Sequence, residues 1–319
     1  MSTGAMGTVL SWNPIVVLQD LWSYPFMVNA FRAGTIVAVL AGVLGWFMVL
    51  RKQTFAGHTL SLVAFPGAAG ATLLGIGAGY GYFAFCLGAA LVIGGLPGLG
   101  RNGFSRQSGF SRQSGFSRQG GFSRQSAVTG TVQAFALACG FLFVALYRGF
   151  LGGINALLFG GFLGITSGQV LVLLAVAVAA LVVLAVIGRP LLFASIDPDV
   201  AGARNVPVRA LSVLFLLLLG AAAAETSQIT GVLLVFALMV MPAATAQALT
   251  ARPALSLGLT VLIGLVVTWL GLAVAYYSDY PIGFFVTSFG FAGYLLALGA
   301  RDGLPRVRSI AAPRGPSWQ

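Results

Sequence analysis

Between Lys52 and Arg101 the chain carries no lysine, arginine, aspartate or glutamate, and residues 33–50 are likewise uncharged. A helix rises about 1.5 Å per residue and a bilayer core is about 30 Å thick, so such runs have the length of complete crossings. A soluble bundle needs a polar face on each helix. These runs have none to offer. Over all 319 residues 58% are apolar and only 7% charged, which excludes a water-wetted globule and predicts an all-α polytopic integral membrane protein.

Uncharged length predicts nine transmembrane helices, at about residues 30–50, 59–78, 80–100, 127–147, 169–188, 208–224, 229–250, 254–276 and 282–300. Residues 149–165 are short and glycine-rich and are read as a re-entrant or interfacial segment. With the N-terminus outside, the cytoplasmic side receives fifteen of the 17 basic residues, leaving Arg32 and Arg148 outside. The C-terminus is then cytoplasmic, with residues 1–300 forming one membrane domain and 301–319 a tail. No basic region and small-residue cleavage site frame the first 27 residues, so the first span is expected to be its own insertion signal. Cys86 and Cys139 lie in apolar runs without ligand spacing and read as packing residues.

A net charge of +11 raises the question of nucleic acid. The asymmetry just described accounts for it as topology, and no nucleic-acid partner is expected. The densest basic stretch is a repeat, with GFSRQS, GFSRQS, GFSRQG and GFSRQS in tandem between the third and fourth spans. Glycine, serine and glutamine bury too little surface to offset chain entropy, so residues 101–126 are expected to form a flexible cytoplasmic loop. Its arginines and phenylalanines suit contact with membrane lipid. A repeat expansion tolerated in a loop at little entropic cost is the preferred account.

The stretch FASIDPDVAGARNVPVRA contains every element of a short capped helix. Asp197 can accept from free backbone amides, Pro198 suits the first helical position, and Asp199 faces the positive end of the dipole. Val200 and Ala201 form its body and Arg204 favours the opposite end. Asn205 can close the helix in a left-handed conformation, and Pro207 prevents continuation. Such a helix either joins two spans or docks a cytosolic partner.

Four blocks now stand in order: GWFMVLRKQTFAGHTLSLVAFPGAAGA, LLFGGFLGI, FASIDPDVAGARNVPVRALSVLF and GVLLVFALMVMPAATA. In order and spacing they resemble the metal-ion permeases of ABC transporter family 3, importers of zinc, manganese or iron, over most of the chain. The resemblance implies a permease subunit of the prokaryotic plasma membrane, itself no enzyme and binding no cofactor. Divalent metal is the cargo. ATP is used by a separate ABC ATP-binding subunit, and an extracytoplasmic binding protein delivers the ion. The permease works with a second permease subunit, expected to be an identical copy. Residues Asp197, Pro198, Asp199, Val200, Ala201 and Arg204 then match the coupling helix that meets the ATPase.

The family commonly reads Gly-Asp-x-Leu-Ser-His-Ala at the start of its second span. In GHTLSLVAFPG, His58 stands where the acid usually lies and Leu62 where the histidine usually lies. Two ligands four residues apart share a helical face, and imidazole with carboxylate suits a borderline transition metal. Leucine cannot ligate, which leaves His58 as the nitrogen candidate, with Thr59 and Ser61 as weak oxygen donors. Glu225, read as lying between two spans at the outer surface, is the second metal candidate. Asp279 in YYSDYP reads as an outer-loop charge, and Ser126 replaces an acid common in the family. A permease for a metal chelate would tolerate these losses. An ion-coupled secondary transporter is disfavoured by the scarcity of intramembrane carboxylates. A membrane-embedded enzyme is disfavoured because no His, Asp or Glu constellation falls within the spans.

Overall fold

The computed structural model describes residues 22–95, 124–147, 158, 160–161, 164–278 and 280–311, with the side chains of 124–125, 233 and 302–311 left aside. Among these residues there are nine long helices, one short helix and no strand. They are α1 (Pro25–Leu50), α2 (Thr54–Leu73), α3 (Ala78–Gly95), α4 (Arg124–Leu146), α5 (Ser167–Ile196), α6 (Pro198–Ala203), α7 (Val208–Thr230), α8 (Val232–Leu249), α9 (Pro253–Tyr276) and α10 (Ile282–Ala311). Seven of the long helices are long and apolar enough to cross a membrane. The two outside that set are α2 and α8. Helix α2 mixes Thr54, His58, Thr59 and Ser61 into its first turns, and α8 is the shorter partner of α7.

Two groups of helices make up the bundle. Helices α2, α3, α4 and α7 pack together, as do α1, α8, α9 and α10, and α5 lies against α1 and α7. The groups meet where α2 and α7 touch α8 and where α1 touches α7. The α2–α3 contact is close because Gly67 and Gly81 face each other's carbonyl oxygens, leaving no room for a Cβ on either side. Cys86 is wholly buried in this group and donates through its sulfur to the Leu60 carbonyl, so it fills space as expected.

Helix ends depart from the hydropathy reading by several residues. Helix α2 begins at Thr54, so His58 lies inside it rather than at the start of a span. Helix α5 continues through Arg189 to Ile196, and α10 continues past residue 300 to Ala311, into the stretch read as a tail. The largest departure is at the end of α7. Residues 225–228 are polar and were expected to form the loop between the spans at 208–224 and 229–250, yet α7 stays helical to Thr230. Ser227 donates to the Ala223 carbonyl and Thr230 to that of Thr226, so these hydroxyls bond their own helix. One residue then separates α7 from α8: Gly231, with φ +73°, a conformation that glycine adopts without penalty. The expected flexible loop 101–126 is shortened at its end, since Arg124 to Ser126 already belong to α4; the rest of the GFSRQS repeat, Asp279 and most of residues 149–165 lie outside the described residues. Of the last segment, Gly160 rests against the Ile229–Gly231 backbone, and the Gly161 amide donates to the Ile229 carbonyl at 3.2 Å.

Candidate functional site

His58 is half-buried in the second turn of α2 and turns toward α8. Its ring meets Phe236 with centroids 4.7 Å apart and planes at 63°. Nδ1 is buried with no hydrogen-bond partner, which leaves a nitrogen donor uncommitted in an apolar setting. The neighbouring hydroxyls are engaged. Thr59 donates to the Gln133 carboxamide oxygen of α4 at 2.9 Å, and Ser61 donates to the Gly57 carbonyl at 2.9 Å. Each keeps lone pairs, but only as a weak oxygen donor. Leu62, one turn on from His58, is partly buried against the apolar cluster that includes Phe65, Tyr82 and Cys86.

Glu225 is not the surface residue that the sequence suggested. It is fully buried in α7, and neither carboxylate oxygen has a hydrogen-bond partner. It forms part of the wall of a cavity of about 350 Å³ shared with Thr166, Gln169, Gln228 and Phe83. A buried, unpaired carboxylate is costly in such surroundings. The reason it is there is the continued helix: with 225–230 helical, Glu225 points into the bundle and not into a loop.

No hydrogen bond joins His58 to Glu225, since His58 Nδ1 and both Glu225 oxygens are without partners. Among the described residues no three His, Cys, Asp or Glu side chains gather as a metal set. The chain therefore presents two single candidates and no gathered ligand set among the described residues.

Helix α6 is built as its sequence dictates. The Asp197 carboxylate accepts from the Val200 amide at 3.0 Å while Asp197 also ends α5, Pro198 opens the helix, and Asp199 lies in its first turn. Arg204 caps the far end, and Asn205 follows at φ +58°. Ala201 is buried against the stems. Asp199, Val200 and Arg204 are exposed, and so is Ile196 just before. A short helix with an apolar tip and both signs of charge is a surface suited to a partner groove.

Sequence reasoning missed three participants. Phe236 and Gln133 carried no signal, because their roles depend on contacts made far along the chain. Arg51 was read only as topology. It is half-buried, donating through Nη1 to Ser195 (3.0 Å), through Nη2 to Ser212 (2.8 Å) and through Nε to Gln53 (3.4 Å), with its Cζ 5.3 Å from the Phe215 ring centroid. Burial lowers its proton affinity from the ordinary value, but a guanidinium stays charged.

Known proteins share this architecture. The manganese transport system membrane protein MntC of Halalkalibacterium halodurans is 27% identical over 271 residues, covering 85% of this chain and 86% of that one. The chelated iron transport system membrane protein YfeC of Yersinia pestis is 28% identical over 267 residues, 84% and 83% of the two chains. The solved structure of PsaBC from Streptococcus pneumoniae in complex with Fab superposes with a TM-score of 0.73 at 22% identity, over 89% of this chain and 95% of that one. At that identity the likeness concerns the fold. The sequence pattern of the ABC 3 transport family matches residues 23–117 and 121–300, nearly the whole membrane bundle. A multi-pass helical bundle with a short capped helix between its fifth and seventh elements is thereby placed: this chain belongs to the ABC 3 transport family and is a membrane permease component of an ABC transporter.

Proposed function

We propose that the chain is the translocating subunit of an ATP-driven importer for a divalent transition-metal ion, manganese, zinc or iron. The observation that carries the cargo is His58: an imidazole nitrogen free of hydrogen bonds, held inside a bundle with few other donors. Relatives named for manganese transport and chelated iron transport support it. A separate ATPase docks on α6. Closure of the ATPase pair moves α6 and rocks the helices between two access states, as a two-state element responds to differential binding. An extracytoplasmic binding protein captures the ion, so contact within the permease can be weak and release fast. Two copies of the permease form the pathway, in a prokaryotic plasma membrane, with the C-terminus cytoplasmic.

A metal-chelate cargo is the second reading. Leu62 in place of a ligand, and the lack of any three-ligand group among the described residues, favour it. The experiment is uptake in vesicles reconstituted with the ATPase and the binding protein, with free manganese, zinc and iron compared against chelated iron. Uptake of a free ion sustains the first reading and uptake of the chelate alone the second. Absence of ATP-dependent uptake of any of them rejects both. Orientation is read separately: cysteine at Ala203 should react with an impermeant thiol reagent only in inside-out vesicles.

A further inference from the structure

Every partner of Arg51 described above is neutral, and the partners come from three elements. Gln53 lies in the α1–α2 connection, Ser195 in the last turn of α5 and Ser212 in the first turns of α7. The last two flank α6 on either side. A guanidinium only donates, so its partners must accept. The two serines are arranged for this: Ser195 spends its own proton on the Leu191 carbonyl and Ser212 on that of Val208, leaving lone pairs turned toward the arginine. The ring of Phe215, itself wholly buried, supports the guanidinium. One charge thus joins both stems of the α6 excursion to the end of α1.

From that point α1 and α2 are connected closely. Met48 of α1 fills the space beside Gly57, where any side chain would collide with its sulfur, and Gly57 immediately precedes His58. The same end of α1 is held to α9 and α8 of its own helix group. Trp46 donates to Ser256 at 3.0 Å, and Gln247 donates to the Trp46 carbonyl at 3.0 Å. Displacement of the α5 and α7 stems has a short, polar and directional connection to the turn that carries His58.

We infer that Arg51 is a positioning residue that transmits movement of α6 to the His58 end of α2, through Ser195 and Ser212. The inference rests on the reading of α6 as the ATPase dock and of His58 as an ion contact. Arg51→Lys keeps the charge but cannot reach both hydroxyls in one plane. Ser195→Ala with Ser212→Ala keeps the arginine and removes its acceptors.

The test uses the assembled complex with its ATPase and binding protein in proteoliposomes. ATPase-subunit binding, ATP hydrolysis and manganese uptake are measured on the same preparations. In both variants ATPase binding and hydrolysis are expected to persist, while uptake per ATP hydrolysed falls about 3- to 30-fold, the range of coupling changes seen along such connections. Ser195→Ala or Ser212→Ala alone should give intermediate ratios, and these milder variants serve if the stronger ones fail to assemble. A ratio within about twofold of the unmodified complex in the serine variants overturns the inference. Loss of ATPase binding in the serine variants overturns it too, since Arg51 would then only shape the dock. If the unmodified permease binds no ATPase, the reading of α6 has failed, and that result is visible before any variant is made.

Discussion

The imidazole of His58 and the ring of Phe236 meet edge to face at 4.7 Å between centroids, joining α2 to α8 across the boundary between the two helix groups. Such a contact contributes about 0.5–1.5 kcal/mol and fixes the plane of the imidazole. His58→Ala is therefore expected to lower metal uptake by about 2- to 10-fold, on the scale of one lost contact of about 1 kcal/mol. Phe236→Leu keeps apolar volume but releases the ring, and should give a smaller loss that does not add to that of His58→Ala. Uptake of radioactive manganese, zinc and iron in proteoliposomes measures both. Unchanged uptake of all three ions in His58→Ala would show that this face does not touch the cargo.

Leu62 lies one helical turn beyond His58, so Leu62→His should place two imidazoles on one face of α2. Equilibrium binding of Zn(II) or Mn(II) should tighten by about tenfold, or about 1.4 kcal/mol. Turnover should stay level or fall, because an ion held longer leaves more slowly. Adding His58→Ala to Leu62→His should abolish the gain. Persistence of the gain in that double variant would place the new ligand's partner elsewhere.

Asp197 caps α6 through its carboxylate at 3.0 Å from the Val200 amide. Removing the cap in Asp197→Ala should destabilise this helix by about 1 kcal/mol, while asparagine, an equally good cap, should restore it. Co-purification of the ATPase subunit is expected to weaken in the alanine variant and recover in the asparagine variant. Equal weakening in both would assign Asp197 a direct charge contact with the partner in place of a capping role.

Glu225 has two buried carboxylate oxygens without hydrogen bonds. Glu225→Gln is expected to raise the thermal stability of the detergent-solubilised permease, since roughly 1–3 kcal/mol is the usual cost of leaving a buried polar group unsatisfied, and more for a charged one. Uptake should fall at the same time if the carboxylate serves the ion. A rise in stability with full uptake would make it a tolerated burden on the fold, and a fall in stability would show that the carboxylate has a partner.

Helix α6 was legible in detail because capping is local: Asp197, Pro198 and Asn205 act on backbone groups a few residues away. The long helices were legible too, since an uncharged run of this length has no other stable arrangement in a bilayer. Their ends were less so. Hydropathy changes where lipid meets water, but a helix stops where its backbone bonds stop. Hydroxyls that bond their own helix let α7 run on through Ser227 and Thr230, which moved Glu225 from an expected loop into the bundle. The partnership of His58 with Phe236, and that of Arg51 with Ser195 and Ser212, had no local pattern at all. Each joins residues far apart in the chain, and each becomes visible only when the helices are side by side.

Gly231 leaves α7 and α8 almost no slack. A single residue spans at most about 3.6 Å, so neither helix can slide far past the other. Phe236 sits just over one turn beyond Gly231. A residue at 231 that resists φ +73° would therefore shift the start of α8, and with it the ring that faces His58.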